Sequence, residues 1–150
     1  MIKILIILLL SLIILILFLN QEPPLLSEIK RRYDFLIESL KKSKQFDILV
    51  KNRAVITEKK KDEKDQTIAY NVNKGYEIYI CLDGRKINGA MYVLLHELAH
   101  ITVEEYDHSE EFWTNFRKLR EYSASIGIYT PEREMEYCNE IIRDSLFTDS

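Results

Sequence analysis

The sequence predicts an α+β fold: a small antiparallel or mixed sheet packed on a buried helix, with further helices around it. Three observations carry this. Tyr76 to Leu82 alternates with a period of two, and Ala90 to Ile101 behind it is apolar on nearly every side. Two further stretches, from about 27 to 44 and from Ser109 to Gly127, repeat apolar residues at helical spacing. Ahead of all of them, Ile4 to Leu19 is apolar except for Ser11.

That leading segment divides the 150-residue chain. Counted from Met1 it is long enough to cross a bilayer, which takes about 17 to 25 residues. A cleaved signal peptide would be followed by a small-x-small pattern, and none lies between Phe18 and Leu26. Residues 1–20 are therefore expected to be a transmembrane anchor and residues 21–150 a single domain with one core. Lys3 argues for a cytosolic amino terminus, while Lys30, Arg31 and Arg32 pull the other way, so the side of the membrane stays open. A net charge of −3 makes no case for nucleic acid, and no such partner is expected. Cys81 and Cys138 could pair outside the cytosol, but two cysteines do not make a disulfide scaffold.

Taken in order, Pro23-Pro24 breaks the anchor helix, and Ser27 is a plausible N-cap for a helix to about residue 44. Its inner face is Ile29, Tyr33, Leu36 or Ile37, and Leu40; its basic outer face reads as solvated. Arg53 to Thr57 reads as a strand, Glu58 to Asp65 as a charged loop, and Thr67 to Val72 as a second strand. Asn73-Lys74-Gly75 supplies turn chemistry, and Tyr76 to Leu82 is the clearest strand. Asn88 or Gly89 opens the next helix, whose end is expected just past His100 at the β-branched run Ile101-Thr102-Val103. Ser109, with Glu110 and Glu111, starts another helix with Phe112, Phe116, Leu119 and Ile126 inward, and Gly127 caps it. Thr130-Pro131 then predicts a last helix carrying Met135, Cys138, Ile141 or Ile142, and Leu146 on its apolar face, with Cys138 a small core residue.

The chemistry concentrates in Leu94 to Ile101, which contains His96-Glu97-x-x-His100. Histidines four apart lie one turn above each other on a helix and can converge on one ion. The third and last histidine of the chain, His108, follows soon after. Hydrolytic zinc takes three protein ligands and keeps one position open for water, and His96, His100 and His108 are the expected set. Zinc would bring the pKa of that water to about 7. Glu97 would take its proton and pass it to the leaving amine. Two histidines and a glutamate in so apolar a helix need compensation, because burying polar groups unpaired is costly. Glu104, Glu105 or Asp107 could substitute for His108, and Tyr106, Tyr122 and Tyr129 are candidates to stabilise the tetrahedral oxyanion. Phe112 and Trp113 are expected to pack on the metal helix.

Leu94 to Ile101, followed by His108-Ser109-x-x-Phe112-Trp113, resembles the minimal zincin metallopeptidases of the WLM and SprT-like groups and the related YgjP-like hydrolases. The resemblance covers about residues 76 to 122. It implies a zincin-like domain with zinc on His96, His100 and His108 and with Glu97 as acid/base. It also implies that Tyr76 to Leu82 is the sheet edge along which an extended peptide substrate lies. One departure is visible: seven residues separate His100 from His108, where WLM and YgjP-like members usually have five.

The function expected is that of a membrane-anchored zinc metallopeptidase acting on protein or peptide substrates. One alternative is a zinc hydrolase of another bond, such as a nucleotide phosphoester, against which the scarcity of basic residues near the motif counts. The other is a silent module that keeps zinc for stability. That would want a fourth ligand, for which Cys81 is the obvious soft residue.

Overall fold

The structure, a computed structural model, describes residues 2–19, 21–59, 69–73, 76–83, 86–105 and 107–144. Several sequence expectations fall outside them: Thr67, Lys74 and Gly75, Tyr106, Leu146 and the charged run after Lys59.

The first helix, α1 (Ile2–Leu19), has 18 residues, about 27 Å at 1.5 Å per residue and close to the hydrocarbon thickness of a bilayer. All its side chains are exposed, and its one hydroxyl, Ser11 Oγ, is satisfied within the helix by Leu8 O at 2.8 Å. It is long and apolar enough to cross a membrane.

Helix α2 (Pro24–Ser43) starts three residues before the expected Ser27. Pro24 takes the first helical position, where its missing N–H costs nothing and its fixed φ is already helical. Leu26, Ile29, Tyr33, Leu36, Ile37 and Leu40 are buried, and Lys44, at φ 55, ends the helix. A short α3 (Asp47–Lys51) adds Leu49 to the core.

The sheet is three-stranded and mixed, formed by β1 (Val55–Lys59), β2 (Ala69–Val72) and β3 (Glu77–Cys81) in the order β1-β3-β2. Strand β3 runs parallel to β1 and antiparallel to β2. This corrects one expectation: the strand within Tyr76 to Leu82 is central, and β2 is an edge. A central strand fits its burial, with Ile78, Ile80 and Cys81 all enclosed. Strand β1 also runs later than predicted. It takes in Glu58 and Lys59, and Lys59 is buried with its ammonium over the Tyr70 ring.

Helix α4 (Ile87–Ile101) packs against the sheet and is buried nearly throughout. Helix α5 (Glu110–Ser125) packs on α4, with Ser109 as the expected N-cap accepting from Phe112 N–H and Gly127 at φ 77 beyond its end. Among the described residues the last predicted helix does not form. In its place stands a hairpin of β4 (Glu134–Tyr137) and β5 (Glu140–Arg143), turned at Cys138 and Asn139, both with positive φ. Met135 and Tyr137 point inward and Glu134 and Glu136 outward, a period of two and not of 3.6. Cys138 is bonded to Cys81, with Cα atoms 6.1 Å apart, so it is a crosslink as well as a core residue. Beside it, Tyr137 OH accepts from Cys81 N–H at 2.8 Å.

Candidate metal centre

Three elements deliver the site. Helix α4 presents His96 and His100 one turn apart, and the link from Thr102 carries His108 to the start of α5. The extra length of that link is taken up without loss of convergence. Val103 tucks inward, and Asn115 Nδ2 of α5 donates to Thr102 Oγ1 at 3.0 Å, tying the end of α4 to α5. His100 Nε2 lies 3.3 Å and His108 Nε2 3.1 Å from His96 Nε2. Two nitrogens each about 2.0–2.1 Å from a tetrahedral zinc stand about 3.3–3.4 Å apart, so the imidazoles already have a zinc-like spacing. Ligand-capable atoms of these three residues form one group, and no other His, Cys, Asp or Glu among the described residues joins it. Three nitrogens and an open fourth position form the donor set of a hydrolytic zinc site.

The aromatic residues after His108 fix the rings. Phe112 is fully buried and touches all three imidazoles, with centroids 5.0, 4.4 and 4.6 Å from His96, His100 and His108. Trp113 lies 5.4 Å from His108 on the outer side, and both remain exposed. Burial, then the neighbouring His100 and His108, and then Arg120 lower His96 to about 4. Burial and His108 lower His100 as well. Both shifts favour the neutral imidazole, the form that binds a metal.

Glu97 is 7% exposed, and burial raises its pKa against the opposing pull of a hydrogen bond from Asn71. That bond, Asn71 Nδ2 to Glu97 Oε2 at 2.9 Å, brings β2 into the site. Sequence reasoning missed Asn71. Its signal was a polar residue at an inward strand position.

Other expectations are corrected. Tyr129 is buried and its hydroxyl is committed to the Asp144 carboxylate, so it cannot serve an oxyanion. No described contact brings Tyr122 to the histidines, and Tyr106 lies outside the described residues. Glu104, Glu105 and Asp107 are exposed and stay out of the histidine group. Cys81, the suggested fourth ligand, is bonded to Cys138.

Residues 26–139 match the model of the WLM domain family. The chain belongs to the WLM family. The match does not extend to the SprT-like group, whose likeness remains one of motif. Two viral proteins also resemble this WLM domain. Uncharacterized protein R325 of Acanthamoeba polyphaga mimivirus is 40% identical over 88 residues, 52% of this chain and 45% of the viral one. Uncharacterized protein 136R of Invertebrate iridescent virus 6 is 27% identical over 100 residues, 60% and 54% of the two chains. The chain thus spans about half the length of these relatives. Among solved structures, Wss1 from Saccharomyces cerevisiae superposes with a TM-score of 0.52 at 20% identity. It covers 68% of this chain and 76% of its own, a likeness of fold.

Proposed function

We propose that this WLM domain is a zinc-dependent peptidase held at a membrane by α1. The observation that carries the reading is the convergence of three Nε2 atoms beside the buried Glu97. A zinc ion held by His96, His100 and His108 would supply an acidified water and a Lewis acid for the substrate carbonyl. Glu97 follows His96 on the same helix, and we assign it the transfer of a proton from water to the leaving amine. A carboxylate is suited to this when its pKa has been raised toward neutrality, and burial pushes Glu97 that way. Strand β2 is an edge strand packed against α4. An extended peptide could add to such an edge through main-chain hydrogen bonds, and we place the protein or peptide substrate there. No nucleic-acid partner is part of this reading.

The test uses the full-length chain in detergent, with metal analysis and cleavage of a peptide library. Glu97→Gln is expected to hold stoichiometric zinc and to lose turnover by at least about 100-fold, while His108→Ala is expected to lose zinc. Wild-type protein without stoichiometric zinc, or a Glu97→Gln variant that cleaves as well as wild type, would falsify the reading.

A further inference from the structure

Asn71 is out of place by the pattern of its own strand. Opposed residues in an antiparallel pair share a face, and Ala69 opposes Ile80 while Asn71 opposes Ile78. Both isoleucines are completely buried, so Ala69 and Asn71 occupy the inward face. The outward face has Tyr70, stacked on Tyr79 at 4.8 Å, and then Val72. A strand built only for packing would exchange the last two residues, valine inward and asparagine outward. A local rule broken in this way marks a functional site more often than a defect. Asn71 is half-buried, and its Nδ2 meets Glu97 Oε2 at 2.9 Å. Among the described residues no other side chain hydrogen-bonds to that carboxylate.

We infer that Asn71 is a positioning residue of the reaction: from the edge strand, its side-chain amide holds the Glu97 carboxylate in one orientation. The inference rests on the reading of Glu97 as the proton carrier. Glutamate has three side-chain torsions, and a helix restricts the first of them far more than the last two. With Oε2 tied to an N–H of Asn71, Oε1 is left to take the proton of the attacking water and to return it to the amine. Asn71 gains and loses no proton. Its side-chain amide is engaged with Glu97, while a peptide on β2 would be held through main-chain hydrogen bonds, so its contribution falls on kcat and not on KM.

The experiment compares wild type, Asn71→Ala and the isosteric Asn71→Asp in the zinc-loaded full-length chain, each also in a Glu97→Gln background. Both single variants are expected to lose about 10- to 100-fold in kcat, the usual scale for a residue that orients another at a metal site. KM and zinc content stay at wild-type values. Asn71→Asp falls at least as far as Asn71→Ala, because it removes the donor and sets a like charge beside Glu97. In the Glu97→Gln background, Asn71→Ala has no further effect on the residual rate, the non-additivity expected when one residue acts through another. A second readout needs no turnover: the side-chain NH2 resonance of Asn71 in the zinc-free chain is expected to move on Glu97→Ala. Unchanged kcat in Asn71→Ala, an equal loss in both backgrounds, or a loss that follows zinc content or melting temperature overturns the inference. If wild type cleaves nothing, the inference falls together with the functional reading. The resonance separates the failures. Moved, it locates the error in the function; unmoved in an active wild type, it locates the error in Asn71.

Discussion

His96 has an enclosed imidazole whose neutral form the fold prefers, and this gives the metal-free chain a direction of pH dependence. The unfolded chain takes a proton at His96 near its ordinary value of 6.5, while the folded chain resists until about 4. Between those values the unfolded state binds more protons, so stability present above pH 6.5 is lost as pH falls toward 4. His100, lowered by burial and by His108, adds in the same sense. After chelation the melting temperature is expected to fall continuously from pH 6.5 to 4, measured by circular dichroism, and His96→Gln should flatten the slope. A melting temperature flat across that window would remove the claim that burial holds these rings neutral. At this scale most of the site was readable in advance, because His96, Glu97 and His100 lie within one helical turn and their geometry is local. His108 was readable by type and nearness alone. Asn71 was not, because its partner is 26 residues away and no local pattern reports which residue a strand will face.

Among the elements, the junction between α4 and the terminal hairpin is the tightest. A Cβ on Gly89 would lie 2.6 Å from Glu136 O and 3.1 Å from Tyr137 Cβ, so the helix approaches β4 closer than any side chain permits. Asn88 fastens the same corner: Thr130 N–H donates to its Oδ1 at 2.9 Å, and its Nδ2 donates to Glu132 Oε1 at 3.0 Å. Gly89→Ala is expected to destabilise by about 1–3 kcal/mol through overpacking, read as a lower denaturant midpoint, and an unchanged midpoint would show that the hairpin can back away. The hairpin is also where sequence reasoning failed. Thr130-Pro131 looks like a helix start, and Glu132, Arg133, Glu134 and Glu136 are good or tolerable helix residues. Outward Glu134 and Glu136 between inward Met135 and Tyr137 carried the strand period, over only four residues. Cys138 gave no warning of the turn, since asparagine, but not cysteine, commonly takes positive φ. The order of the sheet was hidden for another reason. Each strand was legible by itself, but which one lies in the middle depends on pairings distant in sequence.

For the whole molecule, the apolar first helix and the crosslinked domain have to be reconciled with a compartment. Disulfides form and persist outside the reducing cytosol, so under the proposed membrane reading the Cys81–Cys138 bond would put the domain on the side away from the cytosol. The bond also ties the centre of the sheet to a two-stranded hairpin that could not hold itself together alone. Closing a loop of 57 residues is worth roughly 4 kcal/mol in chain entropy. A buried ion pair between Arg120 of α5 and Asp144, just after β5, anchors the hairpin a second time. With Tyr129 OH on the same carboxylate, α5, the segment after it and the chain beyond β5 are held at one point.

The Cys81–Cys138 bond also makes a covalent ring, and the ring contains all of α4 and α5 and therefore His96, Glu97, His100 and His108. A single break in the exposed link between the two helices opens the ring without dividing the molecule. A glutamate-specific protease applied briefly to the folded chain is expected to cut after Glu104 or Glu105, both exposed. The product should migrate as one species without reductant and as two with it, and it should bind zinc as the uncut chain does. Two species without reductant whose masses place the cut after Glu104 or Glu105 would mean the ring was never closed. A chain cut there would still hold His96, His100 and His108 in one covalent molecule.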